Sequence, residues 1–332
     1  MSGFGSRKLR AGEVVEIRSA AEVAATLGPD GSLDALPFMP EMLRHCGERV
    51  RVFKRAHKTC DTINQTGNRR MDRTVHLEGL RCDGSAHGGC QAGCLLFWKE
   101  EWLRPVSAPA AGGRAPEPAD LTEHLERATR RVPEPGSDAP AYRCQATELF
   151  TASRPIRRWD LFHYLEDLTS RNVGLLEFVR VSLIALFNFL QGLRGGSGLP
   201  RFSGGRLHGK TPSQSLGLRP GDAVAVRSVE EIAETLDTGS RNRGMFFDQE
   251  MIPSCGGRYR VARRVERIID ERSGRMVELK NDCIVLEGVI CRAHYSKARL
   301  FCPRSIPPYW REIWLRKLEG GGSGRGSGSA PQ

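Results

Sequence analysis

Apolar and polar residues alternate over several short segments near the start of the chain. Arg49–Lys54 alternates charged with apolar side chains, and Val75 and Leu77 lie on one face of Thr74–Leu80. Val14–Arg18 is a similar segment that begins after a glycine. This period of two predicts half-buried β-strands, because successive side chains of a strand point to opposite faces.

The same pattern returns 209 residues later. Residues 12–27 read GEVVEIRSAAEVAATL and residues 221–236 read GDAVAVRSVEEIAETL. The offset holds as far as Cys82 and Cys291, and it becomes 212 at two matching W-x3-W endings. Each copy also contains one short helix signal, Ser19 followed by Glu22 in the first copy, which predicts a capping box at the start of Ala20–Leu27. The chain therefore contains an internal duplication.

The two repeats define the predicted architecture. Short strands, one short helix and a glycine before the first strand are typical of a small SH3-like barrel. We therefore predict an α+β protein with two tandem β-rich (SH3-like barrel) units joined by a helical segment. The predicted organisation is a first repeat at 8–106, a linker at 107–118, a helical segment at 119–193, a linker at 194–216, a second repeat at 217–318 and a disordered tail at 319–332.

The helical segment ends in a long apolar stripe. Leu176, Val179, Leu183, Leu186, Leu190 and Leu193 recur at helical spacing. Aromatic and aliphatic residues also occupy other sides, so we expect this helix to be buried and to join the two repeats. Contact of residues 174–193 with a membrane surface or a partner is the alternative. A spanning segment is not predicted, because charged and amide residues interrupt the apolar run.

Charge and cysteine content narrow the class of protein. The net charge of +11 is spread along the chain instead of forming a stripe, so a nucleic-acid partner is not favoured. The first residues contain no apolar signal-peptide core, which predicts a cytoplasmic location. Ten cysteines in a cytoplasmic chain indicate metal binding or redox chemistry in preference to disulfides.

One cysteine cluster has clear metal-ligand spacing. Cys82, His87, Cys90 and Cys94 form the pattern C-x4-H-x2-C-x3-C, with glycines between them. Three thiolates and one imidazole suit a tetrahedral zinc site, and the same thiolates suit an iron–sulfur cluster. Glycines allow a short loop to wrap around one centre. We therefore predict a zinc or iron–sulfur site in the first repeat.

The second repeat contains a related set. Cys283, Cys291, His294 and Cys302 again offer three thiols and one imidazole, although Cys283 has no equivalent in the first set. Cys46 and Cys255 occupy matching positions and are interpreted as core residues. Two cysteines without a counterpart in the other repeat, Cys60 and Cys144, are further candidate ligands, redox thiols or inert thiols.

Several motifs resemble those of uncharacterised bacterial tandem-repeat, cysteine-rich proteins. They are CDGSAHGGCQAGCLLFWKEEWL, CPRSIPPYWREIWL, PFMPEMLRHCG and RVFKRAHKTCDTIN. The resemblance covers most of both repeats and implies a bacterial cytoplasmic origin, but it implies no activity and no catalytic residue. The chain also lacks P-loop, GxGxxG, HExxH and GxSxG motifs, so its sequence does not identify an enzyme.

Two functions remain open at this stage. One is a metalloprotein with a Cys3His-type zinc or iron–sulfur site in each repeat, serving a bacterial biosynthetic pathway through binding or redox chemistry. The other is a nucleic-acid or protein-binding module in which zinc is structural and the SH3-like units supply the contact surface. The expected partner is an unidentified protein or small molecule, and nucleic acid is the partner that is not favoured.

Overall fold

The computed structural model describes residues 8–106, 120–131, 139–157, 160–296 and 298–318. These residues form two compact units. Unit A comprises the described residues within Met1–Arg201, Glu266–Leu279 and Ile290–Ile306. Unit B comprises those within Phe202–Val265, Lys280–Val289 and Pro307–Gln332. Two pieces of the second sequence repeat thus belong to unit A.

The strands are short and pair in antiparallel fashion. In chain order they are β1 Val14–Ile17, β2 Ser32–Leu33, β3 Leu36–Pro37, β4 Arg49–Arg55, β5 Lys58–Cys60, β6 Asn68–Arg70, β7 Thr74–Arg81, β8 Leu95–Lys99, β9 Leu103–Pro105, β10 Arg130–Arg131, β11 Ala141–Tyr142, β12 Arg154–Pro155, β13 Ala223–Val226, β14 Arg241–Asn242, β15 Met245–Phe246, β16 Arg258–Arg264, β17 Arg267–Ile269, β18 Met276–Glu278, β19 Ile284–Leu286 and β20 Leu315–Lys317.

The helices are α1 Ala20–Ala24, α2 Leu121–Ala128, α3 Phe162–Thr169, α4 Leu175–Leu193 and α5 Val229–Ala233. Short 3₁₀ turns lie at Pro40–His45, Glu100–Trp102, Gln249–Ser254 and Glu312–Trp314. The mixture of helices with antiparallel sheets confirms the predicted α+β class.

Unit A is organised around a five-stranded sheet in the order β8-β7-β4-β1-β9, which curls into a half-barrel. Strand β1 pairs with β4 and β9, and Val14 lies opposite Arg51. A register shift between Val52 and Lys54 bends β4 where it pairs with β7. The half-barrel does not by itself establish the SH3-like barrel, which stays a prediction.

Unit B contains a four-stranded sheet in the corresponding order β19-β16-β13-β20. Ala223 lies opposite Arg260, and the register of β16 shifts between Val261 and Arg263. Each of these positions follows its counterpart in unit A by 209 residues, so corresponding strands pair in the same register.

Matching helix caps and tryptophans stabilise the two sheets. Ser19 and Ser228 each accept a hydrogen bond from the backbone of a glutamate three residues later, and both capping boxes are complete. The predicted box at Ser19 is therefore confirmed. Trp102 and Trp314 are fully buried, and their indole N–H groups donate to the hydroxyls of Thr26 and Thr235. The W-x3-W endings are packing elements.

The predicted linkers have different outcomes. The linker at 107–118 and the tail at 319–332 lie outside the described residues. Much of the segment predicted as a linker at 194–216 belongs instead to unit B, where Phe202 packs at 5.4 Å from Phe247. The Leu216 backbone amide also donates to the carboxylate of Glu312, which ties this segment to the sheet.

Helix α4 corrects the expectation of a buried joining helix. Only Val181 and Asn188 on this helix are buried, whereas Leu176 is 87% exposed and Leu193 is 71% exposed. The buried side packs on Phe301 through Phe178, so the leucine stripe faces outward. Helix α4 is also long and apolar enough to cross a bilayer. A single helix that meets this criterion of length and composition is weak evidence of a membrane span.

Candidate metal centre

The loop after β7 is closed by its own backbone. Cys82 donates its backbone N–H to the carbonyl of Cys94 at 2.8 Å, which brings the two ends of the cysteine cluster together. Gly84 has a positive φ of 76°, and a Cβ there would collide with the backbone of Cys90. This position therefore requires glycine for both its conformation and its close contact.

Two buried side chains, Glu41 and His87, meet the half-buried thiol of Cys82 at the start of this loop. The Cys82 sulfur lies 3.4 Å from His87 Nε2, and His87 Nδ1 lies 3.9 Å from a carboxylate oxygen of Glu41. One ligand atom from each of the three residues lies within 4.8 Å of the others. The sequence had identified Cys82 and His87, and it missed Glu41.

Glu41 and His87 have polar atoms that lack hydrogen bonds. Both carboxylate oxygens of Glu41 and Nδ1 of His87 are buried without a hydrogen-bond partner. Burial raises the pKa of Glu41 and lowers the pKa of His87 to about 4. Unsatisfied buried polar atoms are unfavourable, and a bound cation would satisfy all three. The duplicated Glu-Met at 41–42 and 250–251 was the available sequence signal for Glu41.

A small cavity gathers further thiols around the same residues. Its volume is about 40 Å³, and its lining includes Cys82, His87, Cys90, Cys94 and Cys144. That volume exceeds the roughly 10–15 Å³ that one water molecule needs on the same kind of measure. All four residues of the sequence-predicted first set therefore line one cavity, and Cys144 joins them.

Two other segments position the cavity wall. Gln145 accepts a hydrogen bond from the Phe97 amide and donates to the Pro37 carbonyl, which fixes the chain beside Cys144. The Ile269 amide of β17 donates to the Cys90 sulfur at 3.4 Å. We refer to Glu41, Cys82, His87, Cys90, Cys94 and Cys144 as the first thiol centre.

The thiols of this centre influence one another. Burial raises the pKa of Cys94 to about 11 and that of Cys144 to about 12, and neighbouring thiols add to both shifts. Burial and the nearby Glu41 also raise the pKa of Cys82. Without a cation the thiols of Cys82, Cys94 and Cys144 are therefore protonated, and metal binding would release their protons.

The second predicted set is divided between the two units. Cys291, His294 and Cys302 belong to unit A, whereas Cys283 belongs to unit B. Cys283 is buried, its pKa is raised to about 12 by burial, and its carbonyl accepts a hydrogen bond from Val265. His294 Nε2 lies 3.1 Å from a carboxylate oxygen of Glu177.

Cys60 lies beside Cys291 and Cys302 of the second predicted set. Its backbone N–H donates to the Cys302 sulfur at 3.2 Å, and Cys291 packs against the same small cluster. Hydrogen bonding with Cys302 and the nearby Arg304 guanidinium lower the pKa of Cys60, whereas burial raises that of Cys302. Cys60 and Cys144 therefore each lie beside one of the cysteine sets.

Two further cysteines lie in or against the hydrophobic cores of the two units. Cys46 lies in the hydrophobic core of unit A, and Cys255 packs against the core of unit B. All ten cysteines are free thiols in the structure. The interpretation of Cys46 as a core residue is confirmed.

A buried ion pair lies behind a larger apolar cavity of unit A. Lys58 is fully buried, with its Nζ 2.5 Å from Asp167 and 3.3 Å from Nδ1 of His163. The cavity has a volume of about 490 Å³, and Tyr164 and Phe301 line it. The Lys58 ammonium lies over both rings, so cation–π contacts and the ion pair hold it in place.

No family model, curated protein or solved structure matches the chain, so its functional interpretation rests on the geometry described above.

Proposed function

We propose that the protein is a metalloprotein whose first thiol centre holds an iron–sulfur cluster through Cys82, Cys90, Cys94 and Cys144. The observation that carries this proposal is the convergence of these four cysteines on one small cavity. Cys144 lies fifty residues beyond Cys94 in the sequence, so local spacing alone does not bring it there. Four thiolates are the usual ligands of such clusters.

The spacing of the sulfurs supports a cluster over a single zinc ion. Zinc–sulfur bonds of about 2.3 Å in a tetrahedron require sulfurs roughly 3.8 Å apart. Among the described residues, which include all ten cysteines, no three cysteine sulfurs lie within 4.8 Å of one another. Wider spacing around a cavity favours a centre with several metal ions, and His87 would then modify the Cys82 ligand through their close contact.

Zinc at Glu41, Cys82 and His87 is the second candidate. The close approach of these three residues and the unsatisfied atoms of Glu41 and His87 favour it. Carboxylate, thiolate and imidazole are all zinc ligands. The two candidates differ in the role of Glu41, because a cluster held by four thiolates does not need its carboxylate.

Anaerobic purification with metal analysis and a UV–visible spectrum tests the proposal. We expect iron, acid-labile sulfide and absorbance near ~400 nm, which thiolate-bound clusters produce. Cys144→Ser should remove most of the iron and absorbance, whereas Cys283→Ser should retain both, because Cys283 is also a buried thiol but belongs to unit B. Loss in both variants, or in neither, would contradict the assignment of Cys144.

Glu41→Gln separates the two candidates. A four-thiolate cluster should survive this change with its spectrum intact, because the amide keeps the size of the side chain and no ligand is lost. A zinc site should lose most of its metal, because a neutral amide is a much weaker ligand than a carboxylate. A colourless protein that contains zinc and loses it on Glu41→Gln would replace the first candidate by the second.

A further inference from the structure

Helices α3 and α4 of unit A carry an exposed apolar surface that the metal centre does not use. All six residues of the leucine stripe on α4 are exposed. At the start of α3, Leu161 is 67% exposed and Phe162 is 74% exposed, and Leu165 is exposed one turn later. We infer that these residues, which we call the α3–α4 face, dock on the surface of an anionic phospholipid bilayer. This role is separate from the proposed metal centre and does not depend on it.

The opposite side of α4 is fixed to unit A. The Phe178 ring stacks at 5.2 Å from that of Phe301, and Val181 is buried in the same cluster. One turn before the end of the helix, the Asn188 amide donates to the Leu199 carbonyl at 2.7 Å and accepts from the Leu199 amide at 2.6 Å. A helix that is held to its own unit on one side and apolar on the other lies along a bilayer surface instead of crossing it.

A cavity makes the exposed residues of the two helices one continuous surface. It has a volume of about 490 Å³, and both α3 and α4 line it, through Leu161, Phe162 and Leu165 on one side and Phe178 and Ala185 on the other. Single exposed apolar residues are common in proteins, whereas a large contiguous patch indicates contact with a membrane or another protein. The α3–α4 face therefore requires a partner that can cover both helices.

The charges around the face are predominantly positive. Among the described residues of 157–201, five arginines are exposed and form no ion pair with another described residue: Arg157, Arg171, Arg180, Arg194 and Arg201. Of the four acidic residues there, Glu166, Asp167 and Glu177 lie 2.5 to 3.1 Å from basic side chains of unit A. Asp160 accepts a hydrogen bond from the Phe162 amide. Unpaired arginines beside an apolar helix face favour contact with anionic lipid headgroups.

The same charges argue against a second copy of this chain as the partner. A two-fold dimer would place the face against itself, because both subunits use the same patch. The exposed arginines of one copy would then lie near those of the other and repel them, whereas lipid phosphates attract them. The segments outside the described residues are mainly Gly, Ser, Ala, Pro and charged residues, and none contains an apolar run that could cover the face.

Flotation of the full-length protein with lipid vesicles tests the inference. We expect binding to vesicles of phosphatidylcholine mixed with an equal amount of phosphatidylglycerol, and much weaker binding to phosphatidylcholine alone. Leu176→Gln combined with Leu183→Gln should weaken binding more than about tenfold, because two exposed leucines no longer enter the lipid. Its control is Val277→Gln, which changes an exposed apolar residue of β18 and should bind normally.

A charge variant tests the electrostatic part separately. Arg180→Gln should weaken binding to the anionic vesicles about fivefold, because each arginine near such a surface adds to the attraction. Arg130→Gln is the matched control, since Arg130 is an exposed arginine of β10 outside the face. Equal binding by both charge variants and the unsubstituted protein would contradict a role of the arginines. Circular dichroism checks folding, and the charge pair decides the matter if the double leucine variant does not fold.

The remaining outcomes identify a different occupant. Absence of binding to either kind of vesicle would overturn the inference. A dimer in sedimentation equilibrium that the double leucine variant dissociates, without vesicle binding, would assign the face to a second copy. Protein that stays on the vesicles through an alkaline carbonate wash would show that α4 inserts across the bilayer instead of docking on it. Metal content should be equal in all these variants, so the lipid surface and the metal centre can fail independently.

Discussion

Units A and B share one arrangement of strands but differ in the cysteines and charged residues that surround it. The strands β7-β4-β1-β9 of unit A and β19-β16-β13-β20 of unit B have the same order and register. Unit A nevertheless contains both cysteine groups, several buried histidines and two buried lysines, whereas unit B contains the other two buried or half-buried cysteines, Cys255 and Cys283. The sheet is therefore the part that the two units share, and the segments added around it account for the difference between them.

The histidines of unit A are the largest expected difference between the units. Burial lowers the pKa of His57 and His76 to about 3, and the unfolded chain binds protons near pH 6.5. Between these values the unfolded state binds more protons, so stability is lost as pH falls from about 6.5 to 4. Each of the two contributes on the order of 3 kcal/mol of this loss at pH 4. Hydrogen exchange of β7 and β16 amides against pH measures the effect in each unit.

A matched substitution tests whether His76 causes this difference. Val285 takes its place in the second repeat, 209 residues later, and both side chains are buried. His76→Val should therefore reduce the acid sensitivity of unit A, even if it lowers stability at pH 7 by losing the bond to the Leu96 carbonyl. An unchanged pH profile would mean that other groups cause the acid lability.

The buried tryptophans should have comparable effects in the two units. Trp102→Ala and Trp314→Ala each remove a fully buried ring and its bond to a threonine hydroxyl. We expect a loss of about 3–5 kcal/mol in each case, from lost burial and the cavity that remains. Hydrogen exchange of amides in both sheets, measured as a function of urea concentration, gives the loss of unfolding free energy in each unit. A cost confined to one unit would contradict the equivalence of the two sheets.

The helix caps provide a smaller test of the same equivalence. Ser19→Ala and Ser228→Ala each leave the N3 backbone N–H of a short helix without its side-chain acceptor. The expected cost is about 1 kcal/mol for each substitution. Thermal unfolding measures this loss of stability. The corresponding threonine variants, which keep a hydroxyl, are the controls. Equal losses for alanine and threonine would show that the hydroxyl is not the cause.

The smallest expected effect concerns the exposed face of α4. Leu183 is 60% exposed and Val181 is fully buried on the same helix. Leu183→Ala should change the free energy of unfolding by less than ~0.5 kcal/mol. Val181→Ala should cost more, because it leaves a cavity against neighbouring side chains. Urea midpoints of the two variants decide the matter, and a larger cost at Leu183 would restore the buried helix that the sequence suggested.

Local patterns in the sequence were sufficient to locate several strands and the first helix. Arg49–Lys54 and Thr74–Leu80 were predicted as strands from their period of two, and β4 and β7 differ from these bounds by one residue each. The helix predicted at Ala20–Leu27 begins at the same residue but ends at Ala24. These elements depend on neighbouring residues, which is why one sequence without relatives is enough to locate them.

The burial of helix α4 could not be predicted from its sequence. Its leucine stripe was recognised from spacing, but the periodicity identifies only that one face is apolar. Whether that face meets a core or lies on the surface depends on what else packs nearby. In unit A, Phe178 and Val181 on the opposite side contact the segment that contains Phe301, so the stripe remains exposed.

The chain's own sequence determined the 209-residue repeat, several of the strand segments and the candidate ligand types of the loop at Cys82. Only the tertiary structure brought Cys144 to the first cavity, placed Glu41 beside His87 and set Cys60 against Cys302. The reason is physical: strand and cap signals act over a few residues, whereas a metal centre requires side chains that meet in space from segments distant in sequence.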